Sequence, residues 1–277
     1  MSPAEVRRRI ARGEITTPTA DLCPGYVQAN LVVLPKEAAF EFLLFCLRNP
    51  RPCPLLEVTE PGDPYTRVVA EGADLRTELP RYRVWQHGKV VAEPTDVTSW
   101  WTDDMVAFLL GCSFTFDGVL MQAGIGVRHV EMGRNVPMYR TKVEAAPAGR
   151  FRGPLVVSMR PVPRELVPKV VELSGRYPMA HGAPVHVGEP QAIGIRDINR
   201  PDYGEAVELR PGEEPVFWAC GVTPQAAIEA AGLELAITHA PGHMFITDLK
   251  AEELDRKAFL SQVCMQLQHK EEVNEQG

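Results

Sequence analysis

Two stretches of the chain repeat a spacing that brings a thiol to the start of a helix. In the first, Phe108 leads into Cys112, Thr115 and Ala123-Gly124-Ile125; in the second, Phe217 leads into Cys220, Thr223 and Ala231-Gly232-Leu233. Threonine follows cysteine by three residues and the Ala-Gly pair by eleven, both times. Each unit reads as an apolar strand, a turn holding the cysteine, a threonine that can cap a helix, two helical turns and a glycine stop. Pro224 suits a first helical position. A thiol at a helix N-terminus sits where the macrodipole and free N–H groups favour thiolate and bind anions. Small neighbours, Gly111 and Ser113 around one cysteine and Ala219 and Gly221 around the other, let a ligand approach the backbone. Cys112 and Cys220 are therefore candidates for base, acid or nucleophile; the alternative is a small buried hydrophobe at each strand end.

Thr238-His239-Ala240-Pro241-Gly242-His243 is the second candidate. Histidines four apart can share a metal on a helix, but Pro241-Gly242 places this pair on a turn after a strand, where active-site residues gather in α/β folds. Acid–base work is the expected role of His239 and His243. His181 and His186 form another interrupted pair, with His186 a candidate for binding substrate and His181 read as a plain hydrogen-bonded side chain. No histidine or cysteine spacing follows a zinc pattern, so no cofactor is expected, a divalent metal being the lesser option.

A carboxylate substrate needs cationic forks. Arg134, Asn135, Tyr139 and Arg140 lie within seven residues, Arg160 ends a strand at Ser158-Met159-Arg160-Pro161, and Ser113 adds a hydroxyl beside the first cysteine. Arginine binds carboxylates bidentately; asparagine and tyrosine can orient them. Ion pairs between domains are the structural alternative for the arginines.

The elements that must carry these residues follow from patterning. Ser2-Pro3-Ala4-Glu5 predicts a capped helix stopped by Gly13, with Val6 and Ile10 on one face, in preference to a cleaved presequence. Strands are expected at 27–33, 55–58, 138–143, 155–160, 184–187, 216–220, 235–238 and 244–247, a helix at 36–47, and a hairpin from 82–85 and 89–91 through His87-Gly88. Residues 102–110 read as a helix, or a helix then a strand. Pro168 should delay a helix over 164–174, and an amphipathic helix is expected at 251–268. The fold expected is α/β: a larger α/β domain from residues 1–130 and 212–277, with a small α+β domain, 131–211, inserted.

The bulk numbers agree with a globular enzyme or binding protein. The 277 residues are 45% hydrophobic and 23% charged with net charge −7, which disfavours a nucleic-acid surface. No apolar run reaches the ~18 residues of a membrane span. Six scattered cysteines and no secretory signal point to reduced thiols and a cytoplasmic location. The expected partner is a small carboxylate or amino acid, with a homo-oligomer an option and no nucleic acid or membrane.

Longer stretches resemble the D-glutamate cyclase family, whose bacterial single-unit members carry a hydro-lyase label. They include Gly25-Tyr26-Val27-Gln28-Ala29-Asn30, Gly111-Cys112-Ser113-Phe114, Arg134-Asn135-Val136-Pro137-Met138-Tyr139, Gly153-Pro154-Leu155-Val156-Val157-Ser158-Met159-Arg160-Pro161, His181-Gly182-Ala183-Pro184-Val185-His186, Val216 to Gln225 and Thr238 to Met244. The resemblance spans roughly Ser2 to Leu249. It implies a lyase that removes water, and for cyclase members closure of D-glutamate to 5-oxo-D-proline. The larger cyclase proteins carry an additional domain that this chain lacks, and no catalytic residue is carried over from the family. Two other functions fit the same residues: a protein that binds a small carboxylate without turnover, and a cofactor-independent enzyme moving an amino-acid α-proton between two thiols, by analogy with racemases.

Overall fold

Strand β1, Tyr26–Pro35, has eight successive buried residues, Val27 to Leu34, so both faces of the sheet around it must be covered. The computed structural model of the protein describes residues 1–20 and 22–254. Val27, Ala29, Leu31 and Val33 enter one core, while Val32 and Leu34 enter another. That alternation is the two-residue period of a strand, here apolar on each side.

Helix α1, Pro3–Ala11, begins as its sequence predicts: Ser2 Oγ accepts the Glu5 N–H at 3.3 Å, and Gly13 adopts φ +72° beyond the end. Val6 and Ile10 bury its inner face. Helix α2, Lys36–Arg48, leaves β1 directly and packs Phe42 and Phe45 with Val32, Leu34 and Phe108. Phe42 stands edge-on to Phe108 at 4.9 Å and to Phe151 at 5.2 Å; each such ring contributes about 1.5–3 kcal/mol by burial.

The larger sheet contains β2 (Leu55–Val58), β3 (Tyr82–Gln86), β4 (Lys89–Ala92) and β5 (Met105–Gly111) besides β1. Residues 102–110 form no helix: seven buried apolar residues from Met105 give a central strand, because a run covered on both sides has no polar face to show. From β5 the chain enters α3, Phe114–Gln122, then the single turn α4, Arg128–Glu131. The smaller sheet follows with β6 (Met138–Glu144), β7 (Pro154–Pro163), helix α5 (Val167–Gly175), the short β8 (His186–Val187) and β9 (Glu213–Ala219). After α6, Thr223–Ala231, strands β10 (Ala236–His239) and β11 (Phe245–Lys250) return to the larger sheet. Its order is β2-β5-β1-β10-β3-β4 with β11 also on β1; the smaller order is β6-β7-β9-β8, and every pairing is antiparallel.

The architecture is an α/β fold with two separate sheets. The smaller sheet extends past residue 211, because β9 is hydrogen-bonded along β7 from Glu213 to Ala219, and the chain rejoins the larger sheet only at Ala236. The expected C-terminal helix lies mostly outside the described residues; Ala251–Leu254 is one 3₁₀ turn. Among the described residues no helix is long and apolar enough to cross a membrane.

Candidate active site

The two cysteine units superimpose in their bonding. Gly111, the last residue of β5, pairs with Ala29 of β1; Ala219, the last residue of β9, pairs with Val157 of β7. One step further on, the Gln28 N–H donates to Thr115 Oγ1 at 3.4 Å, and the Val156 N–H donates to Thr223 Oγ1 at 3.0 Å. Each threonine thus ties its helix to the strand beside its own. The expectation that they cap the helices is corrected: the residues before α3 and α6 are Ser113 and Val222, neither making a side-chain cap, and the hydroxyls serve the neighbouring strand instead.

Each thiol is met by the backbone N–H two residues on, Phe114 for Cys112 and Val222 for Cys220. The sulfurs belong to one buried cluster with Phe114, Met138, Val156, Val222 and Met244, and each cysteine is 7% exposed. The cluster draws on β6 and β7 of the smaller sheet, on α3 and α6, and on the loop after His239.

That burial overturns the low-pKa expectation. Burial pushes Cys112 up to about 12, with the charge of a Cys220 thiolate and Asp117 adding to the rise against the Phe114 N–H and Arg160. It pushes Cys220 up to about 11 against the Val222 N–H and Arg160. Removing a sulfur anion from water costs more than one helix end returns. Both thiols are protonated at neutral pH.

Arg160 sits behind them, fully buried. It donates from Nε and Nη2 to Asp117, at 2.8 Å each, from Nη1 to Ser158 Oγ at 2.7 Å and from Nη2 to Ser113 Oγ at 2.9 Å. Its guanidinium lies over both Phe116 and Trp218, 5.0 and 5.4 Å from their ring centres, which themselves are 5.3 Å apart. Burial acts to raise the Asp117 carboxyl, but Arg160 and His129 together outweigh it and hold it at about 2. Arg160 is therefore not a free fork for a carboxylate; it fastens α3 and Ser113 to β7.

The other expected binding residues are dispersed. Arg134 is exposed and donates to the Ala206 carbonyl. Arg140 lies over the Tyr203 ring and pairs with Glu229. The buried Tyr139 hydroxyl donates to the Ile198 carbonyl at 2.6 Å on the far face of the smaller sheet. His186 shares that face, its ring 5.7 Å from Phe217 and its Nε2 2.8 Å from the Glu189 carbonyl. Asn135 is closer to the thiols: it neighbours Val136 of the cluster, donates to the Pro241 carbonyl at 3.3 Å, and its Oδ1 is buried without a hydrogen bond among the described residues.

His239 ends β10 fully buried, Nδ1 at 3.2 Å from both the N–H and the carbonyl of Leu31. Burial holds it at about 4, against the raising effect of the Leu31 bond, so it is neutral at pH 7. Half-buried His243 has Nδ1 3.1 Å from the Pro241 carbonyl and is also shifted down by burial. Among the described residues neither histidine is hydrogen-bonded to a thiol; their loop meets the cluster through Met244.

Three functional candidates escaped the residue types and spacings. Asp117 is a lone acid in the apolar run Phe114 to Leu120, a signal of a buried, paired charge. Asn30, a lone amide in β1, donates to the Leu110 and Gly111 carbonyls at 3.2 and 2.8 Å and lies against Gly221, where a methyl group would collide with it. His129 is 1% exposed, with Nε2 3.5 Å from Asp117 Oδ2 and its ring beside Phe114. Among the described residues no group of three or more metal-ligating side chains converges.

Known proteins with similar sequences cover nearly the whole chain. A protein of Rubrobacter xylanophilus is 62% identical over 91% of this chain and 97% of its own, and one of Bacillus licheniformis is 58% identical over 91% and 97%. One from Stutzerimonas stutzeri is 58% identical over 92% and 96%. All three bear the name "Putative hydro-lyase". A solved structure, a nitrogen repressor-like protein from Methanococcus jannaschii, aligns at TM-score 0.38 and 10% identity over 88% of this chain and 97% of that one, too distant to carry an argument. The profile of the family described as D-glutamate cyclase matches residues 106–248, a span that begins on β5 and contains both thiols, Arg160 and the histidine loop. With that match and those identities, the chain belongs to the D-glutamate cyclase family.

Proposed function

We propose that the protein is a hydro-lyase that removes water from a small carboxylate or amino acid, with D-glutamate, closing to 5-oxo-D-proline, as the first substrate to try. The observation that carries the reading is the matched pair of thiols, each met by its own helix-start N–H and gathered in one cluster. Two like groups with neighbouring proton affinities suit a reaction in which one takes a proton and the other gives one.

In an α,β-elimination one sulfur, as thiolate, takes the carbon-bound proton. The C–H electron pair becomes the double bond, the C–O bond breaks, and the second thiol protonates the departing hydroxide. Water leaves and the negative charge has moved from one sulfur to the other. In lactam closure the ammonium of the amino acid yields two protons to a side-chain carboxylate oxygen, which leaves as water as the N–C bond forms. The thiols relay those protons, and the N–H groups at the starts of α3 and α6 face the developing oxyanion. High thiol proton affinity fits a base for a weakly acidic carbon; the approaching ammonium supplies the charge that favours thiolate.

Proton NMR in D₂O tests this with D-glutamate, L-glutamate and 2-hydroxy acids in separate samples, with and without Mn²⁺ or Zn²⁺. Formation of 5-oxoproline from the D isomer, or of an unsaturated acid from a hydroxy acid, is the expected result, lost in Cys220→Ser with the fold retained. Exchange of the α-proton alone would replace the reading with the racemase-like one. Binding without any change would replace it with a carboxylate-binding protein, and full turnover by Cys220→Ser would take the thiol out of the mechanism.

A further inference from the structure

Helix α2 is apolar on more sides than the fold of one chain uses. Ala38, Phe42, Phe45 and Cys46 face inward and are buried. On the outer side Phe40, Leu43, Leu44 and Leu47 form a second row, at the three- and four-residue spacing that keeps side chains on one helix face. Among the described residues Phe40 is 75% exposed and Leu47 66% exposed, with Leu43 and Leu44 half-buried between them. A surface helix ordinarily turns polar residues outward, and one that is hydrophobic all round is covered on all sides.

The row reads the same in both directions. Its positions are spaced three, one and three residues apart, symmetric about the peptide bond between Leu43 and Leu44. Turned antiparallel against itself about that midpoint, α2 sets Phe40 level with Leu47 of a second copy and Leu43 level with Leu44. Leu47 also lies on the wall of a cavity of about 410 Å³, lined further by Pro50, Pro54, Leu55 and Met179. The protruding Phe40 ring is a knob, and the opening beside Leu47 is a hole at the matching level.

The charges beside the row fit the same register. Glu37, Glu41 and Arg48 share one flank, four and seven residues apart. Within one chain Arg150 serves both carboxylates, 3.2 Å from Glu41 and 3.9 Å from Glu37, which leaves one negative charge over. Arg48 donates to a neutral group, the Pro147 carbonyl. In the antiparallel pair Arg48 is level with Ala39, and so falls between Glu37 and Glu41 of the other copy, twice over by symmetry. The like charges Lys36 and Arg51 come level only at the two ends of the row, where water and salt screen them; Arg51 there turns its Nη2 to the Ala183 carbonyl at 3.0 Å.

We infer that the outer face of α2 is the interface of a two-fold symmetric homodimer, the helices antiparallel, Phe40 seated on Leu47 and Arg48 between Glu37 and Glu41 of the other copy. A two-fold dimer requires one self-complementary patch, and this face is complementary to itself in shape and in charge. One helix face with its rims stands at the small end of specific interfaces, about 1,200 Å² in total, so the dimer should dissociate on dilution. The inference rests on none of the chemistry proposed above.

Sedimentation velocity of the full chain, diluted from ~100 to ~1 µM, should show a species of twice the chain mass giving way to monomer. Phe40→Glu and Leu47→Glu, at exposed positions that the fold of one chain does not need, should each weaken association by about thirtyfold or more. Arg48→Glu should weaken it too, and adding Glu37→Arg to the same chain should restore most of the loss, because only the antiparallel register brings these two positions together. Circular dichroism checks that each variant is folded, and the wild-type series decides the matter even if one is not. A monomer at every concentration would overturn the inference, whether the row stays bare or another part of the chain covers it. A dimer undiminished by Phe40→Glu and Leu47→Glu would put the contact elsewhere and overturn it as well, and a charge swap that restores nothing would refute the register.

Discussion

Replacing Asp117 by asparagine tests whether the charge pair behind the thiols holds the two sheets together. Asp117 and Arg160 have side chains 2% exposed, joined by two hydrogen bonds of 2.8 Å. The amide keeps the size of the carboxylate but removes its charge, leaving a buried guanidinium with two serine hydroxyls and the faces of Phe116 and Trp218. Breaking a buried pair from one side costs about 3–5 kcal/mol; the two aromatic faces touch the cation before and after the change and cancel, while the amide oxygen can still accept one of the two guanidinium hydrogen bonds. The loss should therefore fall near the lower figure, about 3 kcal/mol, enough to lower the unfolding midpoint clearly while leaving a folded protein. Urea unfolding followed by tryptophan fluorescence reads it, since Trp218 lies against the pair, and an unchanged slope would show that only stability moved. The Arg160→Met, Asp117→Leu double variant should recover most of the loss, because an apolar pair has no charge left to strand. Acid adds a second reading. The folded-state carboxyl lies below its ordinary value, so its contribution is whole above pH 3.8 and is lost as pH falls towards 2; Asp117→Asn should lack that part of the acid limb. A loss under about 1 kcal/mol in the asparagine variant, or a double variant no more stable than the worse single one, would refute the reasoning.

Cys112 and Cys220, raised by burial to about 12 and about 11, should react with iodoacetamide at pH 7.5 at least a hundredfold more slowly than a free thiol, faster as pH climbs towards 11; peptide mass spectrometry following each cysteine would contradict this if either is labelled at the free-thiol rate. His239, held at about 4 in the folded protein against 6.5 ordinarily, is protonated first in the unfolded chain, so stability should fall as pH drops from 6.5 to 4, by up to about 3 kcal/mol from this one group. Denaturation midpoints of wild type and His239→Gln across that window measure it, and parallel curves would remove the claim. Gly221→Ala should cost about 1–3 kcal/mol through collision with Asn30, most of it recovered by adding Asn30→Ala; a fully stable single variant would show that the approach of the two units is slack.

What the sequence made legible were features set by local rules. The matched spacings of Cys112–Thr115 and Cys220–Thr223 place each thiol at a strand end and a helix start, and the Ser2–Glu5 cap starts α1 as read. What escaped depended on contacts between distant segments. The threonines look like caps because capping is a local rule, whereas their bonds to Gln28 and Val156 need the register of a neighbouring strand. The thiols look acidic because a helix start is visible in sequence, while the Phe114, Met138 and Met244 side chains that dry them come from separate elements. Arg160 looks like a carboxylate fork until α3 brings Asp117 against it from 43 residues away.

The two units are held in place crosswise, and that binds the site to the interface between the sheets. Arg160, on β7 of the smaller sheet, grips Ser113 and Asp117 at the start of the unit that leaves the larger one. Asn30, on β1 of the larger sheet, bonds the Leu110 and Gly111 carbonyls and presses on Gly221 of the unit that leaves the smaller one. Helix α6 then lays Ala227 and Ile228 onto the core beneath β1 and β5, while α3 sets Phe116 against Trp218 of β9. Neither thiol can move without moving a contact that joins the sheets. A substitution that loosens this interface must displace both helix starts relative to each other, so a loss of stability at Asp117, Asn30 or Gly221 should be accompanied by a loss of any chemistry that needs the sulfurs at a set separation. Changes of equal destabilisation at Val6 or Ile10, which pack α1 on β11 in a cluster with no residue of either unit, should leave that chemistry in place.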